Sequence, residues 1–210
     1  MLDIATQKSF QERFRAIRML EKKDLVPAGG KTDPDIQDAG KNSFFSYLGH
    51  TYFVKDLNQY EETSEDYRQK KGYFIYELTC LCLETGKTVN FEWEVDDVLD
   101  VSMTLERLSF RSLKDEEGTA IDEDDLDQIV DDKDVIVVNR ENFWYEDDWA
   151  AIYYRAAKEE KVYMYEFENE TGTRFLTIEE WSGSGKEEYQ IYTSAPVDPN
   201  AIIIISKKET

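Results

Sequence analysis

Two periodicities divide this chain. Over the first 26 residues apolar side chains recur at helical spacing, with Phe10, Phe14, Ile17 and Leu20 on one stripe. Ser9 followed by Glu12 has the form of a capping box, Lys22 and Lys23 suit a helix C-terminus, and Pro27 with Gly29 and Gly30 supplies a stop. The pattern predicts an N-terminal amphipathic helix within residues 1–26, docked on the body of the protein or on a partner. Residues 27–43 concentrate Gly, Pro and Asp without a period and read as an exposed linker.

From residue 44 the period becomes two. Phe74, Tyr76, Leu78, Cys80 and Cys82 alternate with Tyr73, Ile75, Glu77, Thr79 and Leu81, a strand apolar enough to be covered on both faces. Glu84-Thr85-Gly86-Lys87 has turn chemistry, residues 88–94 form the next strand, and Leu99, Val101, Met103 and Leu105 mark a third that is half-buried. Residues 44–114 thus read as one antiparallel β-meander unit. Residues 115–134 form an acidic connector, with one helical turn expected over Leu126, Ile129 and Val130. A second meander unit spans 135–206. It has a buried run at 135–138, strands at 162–167, 175–181 and 188–193, turns at Glu170-Thr171-Gly172 and at the "SGSGK" of 182–186, and an interior strand at 202–205.

The segment "YFIYELTCLCLETGKTVNFEWE" (73–94) is echoed by "YMYEFENETGTRFLTIEEW" (163–181), each with Glu-Thr-Gly between an aromatic strand and a Trp beside glutamates. An internal repeat of this kind predicts a mainly β fold. Two antiparallel β-meander units would form a pseudo-twofold sandwich or partly open barrel, with the N-terminal amphipathic helix added. The second copy resembles the uncharacterised bacterial family domain of unknown function 4178. The residues that carry the resemblance are Tyr163, Tyr165-Glu166-Phe167, Gly172, Phe175-Leu176, Glu179-Glu180-Trp181 and Tyr189-Gln190-Ile191-Tyr192. The first copy departs from the pattern, with Phe91-Glu92-Trp93 where the family presents Trp-Leu. The resemblance covers about residues 44–206, implies a mostly β fold, and brings no catalytic residues with it.

Composition narrows the function classes. Of 210 residues, 40% are hydrophobic and 13% aromatic, ample for a core. The 46 acidic residues against 25 basic give a net charge of −21, which repels nucleic-acid backbones and anionic lipid surfaces. No apolar stretch reaches membrane-span length, and the first residues lack a signal peptide's apolar centre. Cys80 and Cys82, the only cysteines, would share one strand face about 7 Å apart, a separation that strains a disulfide. The expectation is a cytoplasmic protein without direct nucleic-acid binding.

No catalytic set emerges from the sequence. His50 is the only histidine, so it is read as a structural residue at the start of a strand. Cys80 and Cys82 are read as small core residues rather than half of a soft-metal site. Asp122, Asp124, Asp125 and Asp127 invite a calcium reading, but the run lacks the central Gly and twelfth-position Glu of an EF-hand loop, with Lys133 at that place. No cofactor is expected. The aromatic residues Trp93, Trp144, Trp149, Tyr153 and Trp181, with Glu179 and Glu180, are the expected binding surface, and the N-terminal helix the expected peptide-like contact. These features point to a non-enzymatic protein-binding or scaffold module. Two rivals stay open: a divalent-cation-dependent enzyme or binder using clustered carboxylates, and an acidic nucleic-acid mimic that occupies a basic protein. Oligomeric state is left undetermined.

Overall fold

The structure is a computed structural model that describes residues 3–27, 34–182 and 187–207. Helix α1 (Ile4–Ile17) comes first, followed by β1 (Phe44–Tyr47), β2 (His50–Thr63), β3 (Lys70–Cys82), β4 (Thr88–Val95), β5 (Leu99–Leu108) and β6 (Leu113–Lys114). Helix α2 (Glu123–Asp132) then leads into β7 (Val135–Val138), β8 (Glu141–Arg155), β9 (Lys158–Asn169), β10 (Phe175–Ser182), β11 (Glu187–Pro196) and β12 (Ile203–Ser206). The hydrogen-bonded order is β12-β1-β2-β3-β4-β5-β11-β10-β9-β8-β7-β6, and a further β2–β8 pairing closes the order over eight strands. The fold is mainly β and antiparallel. Its two consecutive meanders, β2 to β5 and β8 to β11, are joined first strand to first and last to last.

The chain divides into two compact units, neither continuous in sequence. One contains the residues up to Asn58, Tyr76–Val101 and those from Val197 on. Its core gathers Ala16, Phe44, Phe53 and Leu81 against Leu83 and Ile205, next to a ring cluster in which Phe45 and Tyr52 meet Phe91 edge-on at 5.0 and 4.9 Å. Inside this unit the buried Glu77 carboxylate accepts hydrogen bonds from the Asn58 and Asn90 amides at 2.8 and 2.7 Å, the kind of pairing a buried carboxylate requires.

The other unit contains Gln59–Ile75 and Ser102–Pro196. Successive strand residues point to opposite faces, and here both faces are covered. Tyr165 and Phe167 of β9 pack with Leu176 and Ile178 of β10 beneath Leu126 and Ile129 of α2. On the opposite face Val162 and Met164 pack with Tyr60, Ala151 and Tyr153.

Several local features differ from the sequence expectation. The cap of α1 is Asp3, whose carboxylate accepts from the Thr6 amide at 2.9 Å, so Ser9 and Glu12 lie inside the helix and do not cap it. The helix ends at Ile17, with a short 3₁₀ turn at Lys22–Asp24, and the Gly29-Gly30 stop lies outside the described residues. The later part of the linker is packed: Ile36 and Ala39 are buried, because a 3₁₀ turn at Ile36–Asp38 turns them inward. The acidic connector folds into ten-residue α2 with a true capping box between Asp122 and Asp125, and Lys133 closes it in the left-handed region. Residues 141–155, which carry no clear period, form the longest described strand, β8, with a register shift between Tyr145 and Asp147 that absorbs part of the Glu146-Asp147-Asp148 charge run. Strand β12 is half-buried rather than interior: Ile204 is buried and Ile203 exposed, and its second edge is occupied by the segment around Leu25. The turn at 183–186 lies outside the described residues.

Gly86 and Gly172 both turn their hairpins with positive φ, at 71° and 65°, as the Glu-Thr-Gly motifs require. Their surroundings differ. A methyl group at Gly86 would come within 2.2 Å of Ser9 Oγ on α1, whereas at Gly172 the nearest atom is the carboxylate end of Glu168. Gly86→Ala therefore costs the backbone strain of about 1–2 kcal/mol and also displaces the Ser9 hydroxyl, which loosens the seat of α1. Denaturant unfolding together with trypsin cleavage within α1 should show both losses for Gly86→Ala, and for Gly172→Ala only the smaller stability loss with α1 still protected.

Candidate functional site

The surface most open to interaction follows from how α1 seats. Ser9, Glu12, Arg13 and Ala16 recur at i, i+3, i+4 and i+7, so they share one face. That face meets the turn after β3. Arg13 donates from Nη1 to the carbonyls of Leu83 and Glu84 at 3.2 and 3.4 Å, Glu12 pairs with Lys55 at 2.8 Å, and Ala16 is 3% exposed. A helix docked by its small and polar face must turn its apolar stripe the other way. Phe10, Ile17 and Phe14 are accordingly 59%, 51% and 47% exposed, with the Phe10 and Phe14 rings stacked at 6.3 Å. Ile4, Met19, Leu20 and Leu25 extend the exposed apolar surface. Arg18 is exposed beside it, its guanidinium 4.5 Å from the Phe14 ring centroid, while Lys8 and Arg15 are exposed further round the helix.

Apolar exposure of this kind on a folded chain marks an interaction site more often than single surface residues do. Phe10, Phe14 and Ile17 of the expected stripe lie on the helix and Leu20 falls beyond its end; the face the stripe presents was not legible in the sequence.

The turn beneath α1 also gathers ligand-type atoms. His50 opens β2, Cys82 ends β3, and Glu84 follows in the turn. Cys82 Sγ lies 3.9 Å from His50 Nδ1 and 3.6 Å from Glu84 Oε2, and His50 Nδ1 lies 3.8 Å from that same carboxylate oxygen. Glu84 Oε2 also accepts from the Thr51 amide at 2.8 Å. Among the described residues this is the grouping of histidine, cysteine and carboxylate atoms close enough to hold a metal ion. His50 stands at the start of β2 as expected, and its neighbours, 32 and 34 positions along the chain, are brought to it by strand pairing. Both cysteines are free and buried, and Cys80 faces the core.

The expected aromatic surface is distributed differently. Tyr153, Trp149 and Trp181 come together with Tyr60 on one face of their unit, where Tyr153 meets Trp181 edge-on at 5.0 Å. Glu179 lies within this cluster, accepting from Tyr60 Oη at 2.9 Å and from Trp181 Nε1 at 3.0 Å. Glu180, its neighbour in sequence, points to the opposite face, where it accepts from Tyr165 Oη at 2.9 Å. Trp93 is buried and stacked on Tyr76 at 4.0 Å, with its Nε1 unbonded. Tyr153, Glu179 and Trp93 are therefore interior groups, because the alternation of their strands turns them inward; Trp144 alone of these tryptophans is well exposed. The acidic run does not converge. Asp122 and Asp125 are committed to capping α2, and Asp124 and Asp127 are exposed on it.

Other acids are held by tyrosines. Tyr145 and Tyr163 both donate to Asp148, and burial followed by that bond pushes both phenols well above their ordinary value. Glu61 accepts from Tyr154 Oη at 2.6 Å and pairs with Lys70 at 2.9 Å; the Tyr154 bond, reinforced by Lys70, holds its carboxyl below the ordinary 4.5. A depressed carboxylate contributes stability that is fully present above the unfolded value and is lost as pH falls through the folded one. The difference in melting temperature between the wild-type chain and Glu61→Gln should thus be constant at neutral pH and close below about pH 4.5. A difference that persists unchanged at lower pH would contradict this assignment.

Among the described residues no helix is long and apolar enough to cross a membrane. No curated protein and no solved structure matches the chain. The family match extends across both meanders, from before β1 to beyond β11, over residues 40–199. The chain belongs to the family described as Domain of unknown function (DUF4178).

Proposed function

We propose that this protein is a non-enzymatic protein-binding or scaffold module, and that α1 is its docking element. The observation that carries the reading is the outward apolar stripe of Phe10, Phe14 and Ile17 on a helix fixed by its other face. Amphipathic helices engage partners by laying such i, i+4, i+7 anchors into an apolar groove. A helix already folded and seated loses little entropy on binding, which favours affinity. The partner's chemistry follows from the flank: Arg18, at the Phe14 ring, suits an apolar groove with an acidic group at its rim. A lipid surface is a poorer fit, because a chain of net charge −21 is repelled by anionic headgroups. The free thiols of Cys80 and Cys82 support a reducing, cytoplasmic setting.

The test compares capture by the wild-type chain and by Phe10→Glu/Phe14→Glu from a native extract, with the thermal stability of both chains measured in parallel. Because both rings face solvent, the double variant should melt within a few degrees of wild type. It should lose a partner that wild type retains at high salt. Identical capture by both chains, or loss of binding to anionic vesicles in place of a protein, would contradict the proposal.

A further inference from the structure

We propose that His50 Nδ1, Cys82 Sγ and Glu84 Oε2 form a binding site for one borderline divalent transition metal of the zinc class. The three distances among these atoms, 3.9, 3.6 and 3.8 Å, form a nearly equilateral triangle. The point equidistant from its corners lies about 2.2 Å from each donor, within the ~2.0–2.3 Å range of zinc bonds to nitrogen, oxygen and sulfur. Neighbouring ligands around a tetrahedral zinc are themselves about 3.4–3.6 Å apart. The triangle needs to close by only a few tenths of an ångström to match.

The donor chemistry selects the ion class. One imidazole, one thiol and one carboxylate suit zinc, cobalt or copper, whereas calcium requires six to eight oxygens and magnesium an oxygen octahedron. Binding would release the thiol proton to solvent, since the thiolate is the ligand. Three protein donors leave one coordination position for water.

The surroundings position the set. Glu84 Oε2 is oriented by the Thr51 amide, and the Leu83 amide donates to the Thr51 carbonyl at 2.8 Å, so β2 and the turn after β3 are tied on either side of the donors. Such outer bonds fix ligand geometry in metal sites. Cys82 forms the buried floor, while the His50 and Glu84 side chains are 46% and 40% exposed, leaving a path for the ion. This inference is independent of α1's docking role: its readout is metal binding and not capture of a protein.

The experiment is titration of the chelator-treated full chain with Zn²⁺ by calorimetry, and with Co²⁺ by absorption spectroscopy. The site predicts one ion per chain and a thiolate-to-cobalt charge-transfer band in the near ultraviolet. Cys82→Ser and His50→Ala should each weaken zinc binding by more than the ~10–100-fold that loss of an outer-shell group causes. Cys80→Ser, which alters a thiol outside the triangle, should leave binding unchanged. Absence of the cobalt band in the wild-type chain overturns the proposal without recourse to any variant. So does zinc binding that survives both Cys82→Ser and His50→Ala.

Discussion

A single close approach organises the N-terminal part of this protein. Helix α1 lies on the turn after β3 at Gly86, where the Ser9 hydroxyl occupies the space that any side chain would fill. Because Gly86 has no Cβ, the helix can also bring Arg13 onto the carbonyls of Leu83 and Glu84. Ala16 then closes over Phe44, Phe53 and Leu81. Once that face is committed, the helix has one orientation available for its phenylalanines, which is outward. The same turn holds Cys82 and Glu84 opposite His50, with internal bonds from the Gly86 amide to the Cys82 carbonyl at 2.8 Å and from the Cys82 amide to the Lys87 carbonyl at 2.9 Å. The docking stripe and the candidate metal site are thus built on one short segment.

The acidic composition is managed in two ways. Exposed carboxylates are left in water, as on α2, where the first-turn acids Glu123, Asp124 and Asp125 also complement the helix dipole. Buried ones are given donors: Asn58 and Asn90 serve Glu77, Tyr60 and Trp181 serve Glu179, and Tyr154 with Lys70 serves Glu61. Removing one donor from a buried acceptor costs about 1–3 kcal/mol, so these residues bind the strands together more firmly than their polarity suggests. Tyr60, Tyr145, Tyr154, Tyr163 and Tyr165 all donate to carboxylates in this internal hydrogen bonding.

The parts of the fold legible in the sequence are those where one local signal decides the outcome. Period-two runs at 73–82 and 99–105 give strands, and the Glu-Thr-Gly motifs give turns with Gly in the left-handed region. Features decided by tertiary packing were not legible. Ser9 and Glu12 imitate a capping box because i and i+3 share a helix face; in the structure that shared face is what docks. Strand β8 hides its period because Tyr145 and Asp147 straddle a register shift. Leu126, Ile129 and Val130 by themselves mark one helical turn; the helix runs to ten residues because the apolar face of β9 and β10 supplies the rest of their core. The candidate metal site was invisible for a related reason. No local spacing links His50 to Cys82, although the Cys-x-Glu spacing of 82 and 84 near the end of a strand was available as a partial signal.

The orientation of α1 is the claim on which the docking proposal depends, and thiol accessibility measures it directly. Phe10→Cys and Ala16→Cys would be made in separate chains and their labelling rates compared under native conditions, with the wild-type chain and its buried Cys80 and Cys82 as the background. The structure predicts rapid labelling at position 10 and strong protection at position 16. Protection at position 10 with rapid labelling at position 16 would mean that the phenylalanine stripe packs inward, and would contradict the account.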